Sequence, residues 1–174
     1  MDENATLASY NSEGYFCTGD IGRRDGEYFW ILGRASIDII KSGGYKISSL
    51  DIEREIVLLP YISEVMVVGV ADEEFGQRVA AVVTLREDQS VYSASPGGQN
   101  LTLEDLRRDL RVSLTGYKMP TLLRVVEGEL PKNQSGKVKK KTLGPELFPE
   151  GVWESHPDIQ VWRGRRKIVV LPKL

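Results

Sequence analysis

Two runs in the middle of the chain set the architecture. Glu64–Val70 and Arg78–Leu85 are both strongly β-prone, and only Ala71–Gln77 joins them. Helix signals surround this strand pair. Ser48 followed three residues later by Asp51 is a capping-box start, Ile52, Ile56 and Leu59 then fall on one helical face, and Pro60 stops the helix. Thr102 and Asp105 repeat the capping pattern. Leu103, Leu106, Leu110 and Leu114 form the buried stripe behind it, and Gly116 ends it. Leu122–Glu127 reads as a third strand, a basic loop follows, and a short helix is expected near Leu143–Phe148. Upstream, Ile39-Ile40-Lys41 and Tyr45-Lys46-Ile47 flank Ser42-Gly43-Gly44, the pattern of a tight hairpin. Gln89–Asn100, rich in Ser and Gly, is expected to be a surface loop. The predicted fold class is α+β: a small three-stranded sheet packed with helices, plus a two-stranded hairpin.

These elements occupy residues 35–148. Residues 1–34 read as an opening loop and short strands. Tyr28-Phe29-Trp30-Ile31-Leu32, between Asp25-Gly26 and Gly33, has the pattern of a buried strand. A piece this short cannot bury its own faces, so it is expected to be the end of a larger upstream domain. Residues 149–174 break the pattern at Pro149-Glu150-Gly151 and are expected to form an atypical tail, disordered or docked through Trp153 and Trp162. No repeat of fixed period is visible.

Composition narrows the function. The chain has 174 residues, 28% charged and 41% hydrophobic, with a net charge of −2, which removes the global positive field of a non-specific nucleic-acid binder. One cysteine, Cys17, and one histidine, His156, leave no disulfide framework, no cysteine-cluster metal site and no ready histidine-based triad. Cys17 is expected to be a small buried hydrophobe and His156 a solvated tail residue. No apolar run reaches bilayer length, and the start of the chain lacks a signal-peptide pattern. The expectation is a soluble protein of the cell interior, in cytoplasm, mitochondrion or peroxisome, and not a secreted one.

Three segments could carry chemistry. Leu130-Pro131-Lys132-Asn133-Gln134-Ser135-Gly136-Lys137 places a glycine before a lysine, which allows close backbone approach to a ligand and then supplies a compact charge. It is no phosphate-binding P-loop, because Pro131 stands where that loop needs its first glycine and Val138 where it needs Ser or Thr. Alone, it reads as a basic surface loop running into Lys139-Lys140-Lys141. In Tyr15-Phe16-Cys17-Thr18-Gly19-Asp20, a carboxylate could accept two hydrogen bonds from a sugar diol, or simply hold a turn. In Gly33-Arg34 and Asp38-Ile39-Ile40-Lys41-Ser42-Gly43-Gly44-Tyr45-Lys46-Ile47, the diglycine could admit a thin ligand, or simply make the hairpin turn.

Taken together and in order, these segments, with Ile52-Glu53 in the first helix and Asp72 followed by Gly76-Gln77-Arg78, resemble the C-terminal part of the adenylate-forming enzymes: acyl-CoA synthetases, luciferases and peptide-synthetase adenylation domains. The resemblance covers roughly residues 14–148. Ser36 through Lys46 looks most like malonyl-CoA synthetases. The resemblance implies that a carboxylate is activated with ATP and passed to coenzyme A. A small C-terminal lid would close over a large N-terminal domain and rotate between the two steps. It implies that Asp20 binds the ribose hydroxyls of ATP, with Arg34 near the ribose or phosphates. Lys137 would bridge the attacking carboxylate and the α-phosphate. Gly43, Gly44, Tyr45 and Lys46 would line the coenzyme A path, and one of Ser36, Ile37 and Asp38 would be the hinge. Mg2+ would arrive with ATP and be held mainly by the N-terminal domain; no metal ligands are expected in this chain. The Gly-Arg to Asp stretch is one residue longer than the commonest family form. No phosphate loop, adenine motif or acyl pocket precedes Tyr15, so the chain alone is expected to be inactive.

Two rival readings follow from the residues. The chain could be a non-catalytic interaction module that keeps the lid fold and binds a partner through Tyr28–Leu32. It could also be a nucleic-acid binder using Lys137–Lys141 and Arg163–Lys167. The net charge and the lack of an aromatic stacking motif argue against the latter.

Overall fold

The computed structural model describes residues 3–87 and 100–164. After a short helix α1 (Glu3–Leu7), β1 (Asp20–Asp25) and β2 (Tyr28–Arg34) form a separate antiparallel ribbon. The main sheet is six-stranded: β3 (Ile39–Ser42), β4 (Tyr45–Ser48), β5 (Ile62–Asp72), β6 (Gly76–Leu85), β7 (Leu122–Val125) and β8 (Ile159–Val161). Its centre is the expected trio. β5 and β6 pair antiparallel along their whole length, and β7 lies parallel to β6 on the other side. The hairpin β3–β4 joins this trio through one backbone pair, Ser42 with Gly76.

Alternation along the central strands sends side chains to two cores. Val67, Val79, Ala81, Val83 and Leu123 face one side, where α2 (Ser49–Val57) and α3 (Leu103–Asp109) cover them with Ile52, Ile56, Leu103 and Leu106. Met66, Val68, Val70, Ala80, Val82 and Leu122 face the other, under Leu143 of α4 (Lys140–Leu147), Phe148 and Trp153. A strand buried on both faces has no polar side to show, which is why β5 and β6 read as continuous apolar runs.

The helix starts form where the caps are. Ser48 accepts the Asp51 N–H, and Thr102 and Asp105 form the reciprocal box. At α2 the reciprocal half is absent, because Asp51 turns outward to Lys118 (2.9 Å) and Arg54 (3.4 Å). The second helix ends earlier than Gly116: α3 stops at Asp109 and tightens to a 3-10 turn at Leu110–Val112, with Leu114 still buried beyond it.

Other expectations need correction. Tyr28–Leu32 is a strand but not a buried one, since Tyr28, Phe29, Trp30 and Ile31 are 75%, 73%, 53% and 61% exposed. Cys17 is exposed, on the loop leading into that uncovered ribbon. Residues 149–164 dock: Trp153 is buried, β8 extends the sheet beside β7, and Trp162 lies under the Arg107 guanidinium at 4.3 Å. His156 is half-buried, its Nδ1 accepting the Asp158 N–H at 3.2 Å. Of the loop expected at Gln89–Asn100, all but Asn100 lies outside the described residues, as do Arg165-Arg166-Lys167 and Ile168–Leu171.

Candidate functional site

Lys137 stands on a loop that braces itself. Lys132 and Val138 pair as an isolated bridge, and Asn133 and Lys137 bond back to each other through the Asn133 N–H (2.8 Å). The Asn133 side-chain oxygen accepts from the Ser135 N–H, the Ser135 hydroxyl and the Lys137 N–H at 3.0, 2.8 and 2.9 Å. Gly136 has a φ of +75°, a conformation that costs other residues about 1–2 kcal/mol. This closed turn fixes the Lys137 backbone and leaves its side chain in solvent, with no hydrogen bond or ion pair to it among the described residues. Lys132 is spent differently, held by the Glu64 carboxylate, which also accepts the Leu130 N–H at 2.7 Å.

Asp20 and Arg34 meet as a cross-strand pair at the open end of the ribbon, with Arg34 Nε 3.5 Å from the Asp20 carboxylate. The turn before Asp20 is held by the Thr18 hydroxyl, which accepts the Asp20 N–H at 3.1 Å. The Thr18 hydroxyl thus takes the capping role at this turn, and the Asp20 side chain stays partly exposed beside Arg34.

Gly43 and Gly44, at φ +54° and +83°, make the two-residue turn between β3 and β4. The turn is tied to the β5–β6 connection through the Gly43 N–H and the Phe75 carbonyl (3.0 Å), and a Cβ placed on Gly44 would meet nothing within 4 Å. Tyr45 stacks on Tyr117 at 4.4 Å, nearly parallel. Between ribbon and hairpin lies a groove of about 510 Å³ that includes Arg23, Lys41, Lys46 and Lys118 along with Asp51. Its charge balance favours an anionic occupant.

Ser36, Ile37 and Asp38 form the turn that joins ribbon to sheet. The three are not equivalent. Asp38 packs so tightly on Gly33 that a Cβ there would fall 2.5 Å from its own. One Asp38 oxygen accepts the Arg34 N–H (3.0 Å), and the other accepts from Lys140 Nζ (2.9 Å) and the Ser49 hydroxyl (3.4 Å). Burial pushes the Asp38 carboxyl up, but Lys140 and the Arg34 N–H outweigh it and hold the group below its ordinary value.

The sequence alone did not point to the Lys140 cluster. Lys140 reaches Asp38, Glu53 (2.8 Å) and the Ser49 hydroxyl (2.9 Å), with its side chain only 12% exposed. Glu53 in turn accepts the Val67 N–H at 2.6 Å, and burial raises its carboxyl above the ordinary range although Lys140 pulls it down. Spacing was the available signal: Lys140, Leu143 and Gly144 are three and four residues apart, one face of a helix, and the latter two are buried. No group of three or more His, Cys, Asp or Glu able to hold a metal ion exists among the described residues.

The structure is thus a small sheet domain with an exposed lysine on a braced loop, joined by a short turn to a ribbon bearing a carboxylate–guanidinium pair. Residues 51–137 match the family described as the AMP-binding enzyme C-terminal domain, and the chain belongs to that family. It is 44% identical over 146 residues to the mitochondrial malonate–CoA ligase ACSF3 of Mus musculus, covering 84% of this chain and 23% of the relative. The Bos taurus counterpart is 46% identical over 145 residues, with 83% and 23% covered. The structure superposes on ATP-bound MatB from Rhodopseudomonas palustris with a TM-score of 0.69 and 29% identity, over 86% of this chain and 27% of that one. The chain spans about a quarter of the length of the curated relatives it matches.

Proposed function

We propose that this chain is the lid of an ATP-dependent acyl-CoA synthetase that acts on malonate, and that it turns over only against a larger domain carrying the phosphate loop and acyl pocket. In the first step a carboxylate oxygen attacks the α-phosphorus of ATP, and the bond to pyrophosphate breaks. In the second the coenzyme A thiol attacks the acyl carbonyl, loses its proton, and AMP leaves. The observation that carries the reading is Lys137, a solvent-facing ammonium on a rigid loop with no partner in its own domain among the described residues. Placed between two approaching anions it offsets their repulsion, and it stabilises the transition state more than the ground state. Closure of the lid delivers it and expels water in one movement.

Asp20 takes the ribose hydroxyls and Arg34 sits beside the ribose or phosphates, in keeping with their cross-strand pairing. The Gly43–Lys46 turn lines the coenzyme A path after rotation about the Ser36–Asp38 turn. Magnesium enters with ATP as part of that substrate, held by the larger domain. The names of the relatives above, malonate–CoA ligases, support malonate as the acid.

The test is malonate-dependent AMP release by this chain alone and with the upstream domain of a relative supplied. Activity only in the mixture, lost in Lys137→Ala, supports the proposal. Robust turnover by the chain alone refutes the division of labour. A second reading, a non-catalytic interaction module, draws on the exposed Tyr28–Ile31 patch. It requires the mixture to be inactive or indifferent to Lys137→Ala.

A further inference from the structure

Lys140 looks like one member of a solvated basic run, yet it is the residue on which three parts of the lid converge. Its three ammonium protons have three acceptors: Asp38 on the turn from the ribbon, and Glu53 and Ser49 on α2, all within 2.9 Å. Those partners lie 102 and 91 residues away for Asp38 and Ser49, so the contacts are tertiary anchors rather than local ones. Lys140 is also the first residue of α4, directly behind the Lys137 loop, and its N–H bonds the Val138 carbonyl at 3.0 Å. A lysine at a helix N-terminus opposes the helix dipole, so this position is set by its two carboxylates and not by helix formation. Three residues of chain reach at most about 11 Å, so the Lys137 backbone cannot move far while Lys140 is pinned.

We propose that Lys140 is the positioning residue for Lys137: it clamps the base of the lysine loop to the Asp38 turn and to α2, so that the free ammonium enters the first half-reaction at a fixed distance from the ribbon. The inference rests on the function proposed above. Lys140 touches no reacting atom. Within the Ser36–Asp38 turn, Asp38 is held to the lid by Lys140 and by the Ser49 N–H to its carbonyl (2.7 Å), and to the ribbon by its own N–H on the Arg34 carbonyl (2.8 Å) and its carboxylate on the Arg34 N–H (3.0 Å). The Lys137 loop and Asp38 therefore form one tied unit, and the clamp passes through Asp38 to Arg34 at the end of the ribbon.

The experiment compares Lys140→Gln and Lys140→Arg with the unaltered chain, each mixed with the upstream domain. Adenylate formation and thioester formation from supplied malonyl-adenylate are measured separately. A misplacement of about 1 Å costs on the order of 100-fold, so Lys140→Gln should lose about that much in adenylate formation. Its thioester step, which does not use Lys137, should stay within about three-fold, and Lys140→Arg should restore most of the first step. A merely structural defect would lower both steps together; that result, or a loss in neither, or a larger loss in the thioester step, overturns the proposal. Should Lys140→Gln fail to fold, Ser49→Ala removes one of the three acceptors and should give about a five-fold loss confined to adenylate formation.

A second arm needs no activity, so it separates this inference from the functional reading. In the 174-residue chain alone, hydrogen exchange at residues 34–38 and 133–138 should accelerate together in Lys140→Gln, while the β6 amides keep their protection. If the unaltered mixture is inactive, the functional reading fails and this arm decides the clamp: unchanged exchange at either segment, or a uniform rise across the sheet, overturns it.

Discussion

The Asp72 carboxylate should be a costly polar group to remove from this lid. It ends β5 and closes the turn to β6, accepting the Phe75 N–H at 2.8 Å, the Glu74 N–H at 3.1 Å and the Arg78 Nε at 2.5 Å. Its side chain is 6% exposed and that of Arg78 17% exposed, so water cannot replace these bonds without disturbing the turn. Two backbone bonds at about 1 kcal/mol each and one charge-assisted bond at about 2 kcal/mol sum to roughly 4 kcal/mol. Arg78 keeps some company in the mutant, lying over Phe75 at 5.0 Å and Trp153 at 5.8 Å, so Asp72→Ala is expected to cost about 3 kcal/mol. Asp72→Asn keeps an acceptor for the backbone and should cost about half that. Urea unfolding of the chain at neutral pH reads both, and a double-mutant cycle with Arg78→Met should return a coupling of about 1.5 kcal/mol or more. The pH dependence has a definite sign. Burial pushes the Asp72 carboxyl up, but the Phe75 N–H and Arg78 overcome it and hold the group below its ordinary value of 3.8. A folded-state value below the unfolded one gives stabilisation that is complete above the unfolded value and fades as pH falls through the folded one. The gap between the unaltered chain and Asp72→Ala must therefore close in acid. A cost under 1 kcal/mol, equal costs for Asn and Ala, or a gap that widens in acid would show that Asp72 does not hold this turn.

Other substitutions test other parts of the structure. Lys137→Ala should change urea stability by less than about 0.5 kcal/mol, because the side chain is exposed and unpaired among the described residues, while lowering adenylate formation in the reconstituted mixture by about 100- to 1,000-fold. Trp153→Ala, at a site 5% exposed against the core under α4, should cost about 3–5 kcal/mol in the same unfolding assay; a loss below 1 kcal/mol would mean that residues beyond Pro149 are no part of the lid core. Glu53 has the opposite linkage to Asp72. Its carboxyl is raised above the ordinary 4.5 by burial, so its contribution is present in acid and is lost as pH rises through the folded value. The stability advantage of the unaltered chain over Glu53→Gln should accordingly shrink as pH rises from 4.5, and a series of urea curves that shows it growing would contradict this.

The parts of the fold legible in the sequence were those where local chemistry and tertiary structure agree. Ser48 and Thr102 cap the helices they were expected to cap, and the β5, β6 and β7 runs are strands because their side chains fill two cores. The parts that were not legible depend on distant partners. Nothing local in Ile159–Val161 says strand; its register comes from β7, and from Gln160, whose amide bonds Leu101 and Leu103 at the start of α3. Lys140 read as solvated because its two neighbours in the run are lysines, and the carboxylates that bury it come from Asp38 and Glu53. At the candidate site the motif residues Asp20, Arg34, Gly43, Gly44 and Lys137 were legible as a spaced series, whereas the clamp holding the loop was not, since charge clusters formed across about a hundred residues leave no periodicity.

The ribbon gives the clearest physical ground for choosing between a lid and a free-standing interaction module. Along β2, Tyr28 and Trp30 point to one face and Phe29 and Ile31 to the other, and all four are more than half exposed. β2 is thus apolar on both sides, while its partner β1 is largely charged and sets Arg24 over Phe29 at 5.6 Å. A partner that docks from one side would cover two of the four and leave the other two in water. Covering both requires the ribbon to be a layer inside another body, flanked above and below, which is how a two-stranded piece becomes stable at all. On the function proposed above, that body is the larger domain, with the lid joined to it at Arg34. On this ground Trp30 and Phe29 should both lose solvent access when the upstream domain of a relative is supplied, read as a blue shift in Trp30 emission for a Trp153→Phe, Trp162→Phe background and as protection of a Phe29→Cys thiol from alkylation in a Cys17→Ser background. Protection of one face alone would favour the interaction module.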